Sequence, residues 1–159
     1  MTKSDFYDVL DAFNDCMLLT FTENGTPHAR PMALAQRDGS TVWFVADRAS
    51  AKVDEITTDR TAVVTVQGDR RWAAATGTAA VVDDPGKLHE LWSTPMRVWF
   101  PDGPEDSDLV AIRVDLEDGE YWDVSGGKLA RFGFGAAKSM VTGQQIDNDK
   151  EGDTGRVPL

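Results

Sequence analysis

Apolar residues recur along this chain at two spacings, and the switch between them marks out its elements. Phe6, Val9, Leu10 and Phe13 fall on one helical face behind Ser4, a residue able to cap a helix, so a short amphipathic helix is predicted to open the chain and pack as a lid. Cys16 to Thr22 reads as a strand, Asn24-Gly25 as a reversal and His28 to Gln36 as the returning strand. Asp38-Gly39 supplies a second reversal before Thr41 to Ala46, a run of high strand preference. Between Arg48 and Asp59, Val53 and Ile56 stand three apart among polar positions, which predicts a short helix opening near Ser50.

Ala62 to Gln67 alternates and is β-branched, and Gly68-Asp69 turns the chain. Arg71 to Val82 follows as a long strand in which Gly77 marks a bend or bulge. Asp83-Asp84-Pro85 starts a helix over Gly86 to Ser93, with Leu88, Leu91 and Trp92 on its apolar face. Pro101 to Asp108 is an acidic surface loop. Leu109 to Leu116 and Glu120 to Val124 read as the last two strands, joined at Glu117-Asp118-Gly119. Six or seven antiparallel strands with two or three short helices imply a mainly β fold, a closed or partly closed barrel, and disfavour a parallel sheet. Residues 1–145 are expected to form the domain and 146–159 a polar, flexible tail; Phe132, Phe134, Ala137, Met140 and Val141 can dock ahead of it.

Composition narrows the function. With 159 residues, two folded domains would be cramped. The formal charge of −11 lacks the basic stripe that binding to nucleic acid needs, and anionic membranes would repel it. Asp5, Asp8, Asp11 and Asp15 break any secretory leader, and no apolar run approaches the roughly 20 residues that span a bilayer, so a soluble, cytoplasmic protein is expected. Cys16 is the only cysteine, which excludes an intramolecular disulfide and a cysteine-built metal site.

Several familiar motifs fail. Gly133 and Gly135 begin a dinucleotide pattern, but Lys138 stands at its third glycine position. Gly127-Lys128 is followed by leucine where a phosphate loop needs a hydroxyl. His28 and His89 are the only histidines, without zinc-helix spacing or a nucleophile elbow nearby.

One arrangement holds together. A hairpin turning about Asp38-Gly39 sets Arg30 opposite Ala46 or its neighbour, beside the point where Asp47, Arg48 and Ala49 lead into a helix start at Ser50. Lys52 sits in the first turn of that helix. A guanidinium, an ammonium, a hydroxyl and a helix start make a receptor for a phosphate monoester, and the cluster stands out against the acidic remainder. An ion pair between Arg30 and one of the many carboxylates, with Lys52 merely coating a surface helix, is the competing reading. Five tryptophans, Trp43, Trp72, Trp92, Trp99 and Trp122, could wall a planar ring, although each taken singly reads first as core.

Arg30-Pro31-Met32, Trp43-Phe44-Val45-Ala46 and Ser50-Ala51-Lys52 resemble the FMN-binding region of the pyridoxamine 5′-phosphate oxidase-like split barrels. Gly77 with its flanking strand, Leu91-Trp92, Trp99-Phe100-Pro101 and Glu120-Tyr121-Trp122-Asp123 look most like the general stress protein branch. The resemblance implies an antiparallel split barrel. It implies Arg30, Ser50 and Lys52 on the FMN phosphate, and Met32, Val45 and Ala46 along the ribityl chain and ring. Trp72 falls where the oxidases use a glutamine near the flavin, Trp122 matches a tryptophan given by a second subunit, and Arg131 is a cation near the ring. A homodimer with two interfacial flavin sites follows from the same resemblance. The Arg-x-His of true pyridoxamine phosphate oxidases is replaced by Lys128-Leu129-Ala130, which argues against vitamin B6 oxidation.

The expected function is a stress-related flavoprotein passing electrons between a reduced nicotinamide, or another small donor, and an acceptor. A noncatalytic flavin-binding or flavin-buffering protein is the alternative, and a deazaflavin- or haem-binding barrel the third; a polyglutamate-tailed deazaflavin calls for a more basic rim. No general acid or base is named by the sequence.

Overall fold

The computed structural model describes residues 2–125 and 153–159. Helix α1 spans Lys3–Leu10. Its cap is Thr2 and not Ser4: the Thr2 hydroxyl accepts from the Asp5 amide at 3.3 Å while the Asp5 carboxylate accepts from the Thr2 amide at 2.7 Å. This reciprocal pair satisfies two orphan donors, and Phe6, Val9 and Leu10 are buried as the spacing requires.

The strands are β1 (Asp15–Phe21), β2 (Pro27–Ala33), β3 (Gln36–Asp38), β4 (Thr41–Asp47), β5 (Thr61–Gly68), β6 (Arg71–Val82), β7 (Leu109–Asp123) and β8 (Asp153–Pro158). They form one antiparallel sheet in the order β2-β1-β5-β6-β7-β4-β3, with β8 also paired to β7. The sheet curls into a partly closed barrel. Helix α2 (Ala51–Thr58) packs on β1 and β6, while α3 (Pro85–Leu91) packs on β4 and β7. No helix among the described residues is long and apolar enough to cross a membrane.

Four further details depart from the sequence reading. The returning strand His28 to Gln36 is two strands: β2 pairs with β1, with Arg30 opposite Leu18, and β3 pairs with β4. Arg30 is therefore not a cross-strand partner of Ala46. Leu34 and Ala35 carry the chain across, their amides donating to Asn14 and Trp43 carbonyls. The turn is centred one residue later than expected, because Gly39 takes φ +60° and leaves Asp38 opposite Thr41.

The segment Glu117-Asp118-Gly119 is no reversal. It runs inside the continuous β7, which absorbs an extra residue as a bulge opposite Thr76 and Gly77. A side chain at Gly77 would place its Cβ 2.2 Å from the Asp115 carbonyl oxygen, so this contact requires glycine.

The end of the expected flexible tail forms β8. Beyond Asp115, β7 has lost β4 from one edge; β8 pairs with Asp118 to Asp123 along it, Val157 is buried, and Arg156 bonds Asp118. The expected docking of Phe132, Phe134, Ala137, Met140 and Val141 lies outside the described residues.

Inward residues of β1 and β4 to β7, including Leu18, Phe44, Val64, Ile112 and Tyr121, join Ile56 and Phe6 in the main core. Val45, Leu109 and Ala111 face outward and form a smaller core under α3, with Leu88, Leu91 and Met96.

Candidate functional site

The two cations singled out by the sequence come together where β2 meets α2. Arg30 lies opposite Leu18, a main-core residue, so it points to the inner side of the sheet. Its Nη1 donates to the Thr20 hydroxyl at 2.6 Å and to the Leu18 carbonyl at 3.5 Å. Its Nη2 donates to Glu55 at 3.3 Å.

Glu55 was not legible as a site residue. It is a buried carboxylate on α2, bonded by the Thr20 hydroxyl, by His28 Nδ1 at 2.7 Å and by Arg30. Burial alone would raise its pKa; the hydrogen bonds from Thr20, His28 and Arg30, with the Arg30 charge, outweigh that and hold it below the ordinary 4.5. An ionised carboxylate thus clamps the edge strand β2 to the helix. The period-two rule could have grouped His28 with Arg30, and Thr20 with Leu18. Nothing in the sequence gave the angle at which α2 lays Glu55 across them.

Arg30 does pair with a carboxylate, as the competing reading held, but Lys52 does not simply coat a surface. Its side chain is half-buried, and no described residue gives it an ion pair or hydrogen bond. Burial first, and then the Arg30 charge, draw its ammonium below the ordinary 10.5, while Asp47 acts the other way. Arg48, by contrast, is neutralised by Asp83 at 2.8 Å.

Ser50 is the N-cap of α2, yet its hydroxyl donates back to the Asp47 carbonyl at 2.7 Å and no side chain caps the helix. The first-turn amides, the half-buried ammonium and the guanidinium together form a corner suited to an anion.

The remaining sequence-named residues divide between two faces. Met32 is half-buried against the main core on the Arg30 side. Ala46 points into that core and Val45 outward beneath α3, so neither side chain is free to line a ligand. The backbone is another matter. β3 begins at Gln36 and the Ala35 amide bonds the Trp43 carbonyl; two residues on, Val45 turns its own N–H and C=O to the same edge, which no described strand pairs there. Trp72 and Trp122 are direct cross-strand partners, 36% and 40% exposed, on the outer face, away from Arg30 and Lys52. Arg131 lies outside the described residues.

The family model described as pyridoxamine 5′-phosphate oxidase like matches residues 2–147. A candidate general stress protein 26 from Jannaschia sp. CCS1 has 24% identity and a TM-score of 0.73, over 98% of this chain and 97% of that one. A protein from Clostridium acetobutylicum related to general stress protein 26 has 21% identity and a TM-score of 0.67, over 76% and 87%. A pyridoxamine 5′-phosphate oxidase-related, FMN binding protein from Nostoc punctiforme has 13% identity and a TM-score of 0.59, over 99% and 95%. No curated protein matches. The barrel order and the family match together place this chain in the pyridoxamine 5′-phosphate oxidase-like family.

Proposed function

We propose that this chain is a cytoplasmic, stress-related flavoprotein that binds FMN and transfers electrons between a reduced nicotinamide, or another small donor, and an acceptor. The observation that carries the reading is Lys52: a half-buried ammonium held beside a guanidinium, with no ion pair or hydrogen bond from any described residue. A phosphate dianion there relieves the repulsion and accepts from Arg30, Lys52, Ser50 and the uncapped amides of α2. The free backbone edge at Val45 and the Met32 side chain suit the ribityl chain and ring. Membership of the family and the FMN binding ascribed to the Nostoc relative support flavin over other phosphate esters. Bound flavin supplies the hydride and electron chemistry, whereas these residues supply position and charge.

The same reading calls for a homodimer. Met17, Trp72 and Trp122 are exposed on the outer face, which the alternation extends through Leu19, Pro31 and Ala74. A ring anchored at the inner corner meets that tryptophan pair only on a second copy, so Trp122 of the partner subunit completes the site. Sedimentation that finds only the 17.4 kDa chain removes this part of the proposal.

Anaerobic stopped-flow mixing of the FMN-loaded protein with NADH or NADPH tests the activity. Bleaching of the visible flavin band by at least one donor, reversed by an electron acceptor, is the expected result. Absence of reduction by either donor leaves flavin storage in place of electron transfer.

A further inference from the structure

The corner contains one titratable group that the flavin reading leaves unused. His28 precedes Arg30 by two residues on β2, so both side chains stand on one face of the strand. Glu55 ties them together, one carboxylate oxygen 2.7 Å from His28 Nδ1 and the other 3.3 Å from Arg30 Nη2. Because that carboxylate is ionised and can only accept, Nδ1 keeps its proton whether the ring is neutral or charged. The exchangeable proton is therefore the one on Nε2. No described residue bonds Nε2, and the side chain is half-exposed. A neutral ring offers a lone pair there; a protonated ring offers an N–H donor and a full charge.

The geometry points to His28 as a third, proton-dependent cation of the anion corner, positioned by Glu55. This inference rests on the reading that Arg30 and Lys52 hold a phosphate-like dianion, and it adds a residue to that site. The charged group against the ring is Glu55 on α2, whose other oxygen takes Arg30 of β2 and the Thr20 hydroxyl of β1; Lys52, three residues before Glu55 on α2, has Arg30 and Asp47 as its own charged neighbours. Of the two histidines, His89 lies on α3 and pairs with Glu105. It is present in every variant below and so cancels in the comparison.

Sulfate is the probe, because it keeps two charges across the range in which phosphate changes its own. Titration of the 15N-labelled full chain with sodium sulfate, at constant ionic strength and from about pH 8.5 to 5.5, reads the affinity at the amides of α2. The wild type is expected to bind sulfate about fivefold more tightly at the acid end, with most of the change absent from His28→Gln. The two proteins should agree at the alkaline end. Glu55→Gln should flatten the profile as well, since an amide donating to Nδ1 puts the neutral ring's proton on Nε2. Parallel pH profiles in the wild type and His28→Gln overturn the inference while leaving the corner intact. A profile of full steepness in Glu55→Gln removes the positioning role. No sulfate binding at any pH removes the phosphate reading, and this inference with it.

Discussion

Glu55 shows how one buried side chain can decide the state of a site. Its carboxylate satisfies a hydroxyl, an imidazole and a guanidinium at once, so removing it leaves Thr20 and Arg30 without their partner. Glu55→Ala should destabilise the fold by roughly 3 kcal/mol, as expected for breaking a buried, hydrogen-bonded ion pair. The pH dependence has a definite sign. A carboxyl whose pKa is lower in the folded chain contributes fully above its unfolded value, and the contribution is lost as pH falls through the folded value. Urea unfolding should therefore separate wild type and variant at neutral pH and bring them together in acid, below the ordinary 4.5. A gap that stays constant into acid contradicts the assignment of an ionised Glu55.

Among the elements, the starts of α2 and α3 are legible from local signals, whereas the cap of α1 is Thr2 and not Ser4 and the strand registers depend on long-range packing. Val53 and Ile56 announced α2, Ser50 its start, and the proline after Asp84 the start of α3, because each signal acts within one helical turn. Asp38-Gly39 marked a turn but not its centre, and one residue of error changes every cross-strand partner. Arg30 and Lys52 are neighbours because α2 packs across β1, not because β2 pairs with β4 as the turn at Asp38-Gly39 suggests.

Glu117 to Gly119 has a turn's composition inside a strand: the bulge opposite Gly77 takes up the extra residue, and Gly119 leaves room for Phe6 and Leu159. Gly77→Ala forces its new methyl against the backbone of Asp115 and should cost roughly 1 to 3 kcal/mol in denaturant unfolding. A loss below about 0.5 kcal/mol, the range of an ordinary surface change, contradicts the bulge's need for glycine.

At the scale of the molecule, a chain of charge −11 repels a dianion at long range, so whatever anion it holds must be held by short-range geometry. In the proposed site Arg30 and Lys52 supply that geometry from the inner side of the barrel, while Trp72 and Trp122 lie part-exposed on the outer face. The sequence could name all four residues but not the faces they occupy, since which side of a curled sheet meets a partner is a property of the assembled barrel. The central claim is that the corner grips the phosphate end of a flavin. It is tested most directly by the dissociation constants of FMN and of riboflavin, which lacks the phosphate, for the wild type and for the double variant Arg30→Ala/Lys52→Ala, read by quenching of flavin fluorescence. Charge-assisted bonds of roughly 1.5 to 3 kcal/mol each predict that the double variant loses roughly 3 to 6 kcal/mol of FMN affinity while riboflavin binding stays within about twofold. FMN affinity that survives the double substitution, or a wild type that binds both flavins equally, would contradict the account.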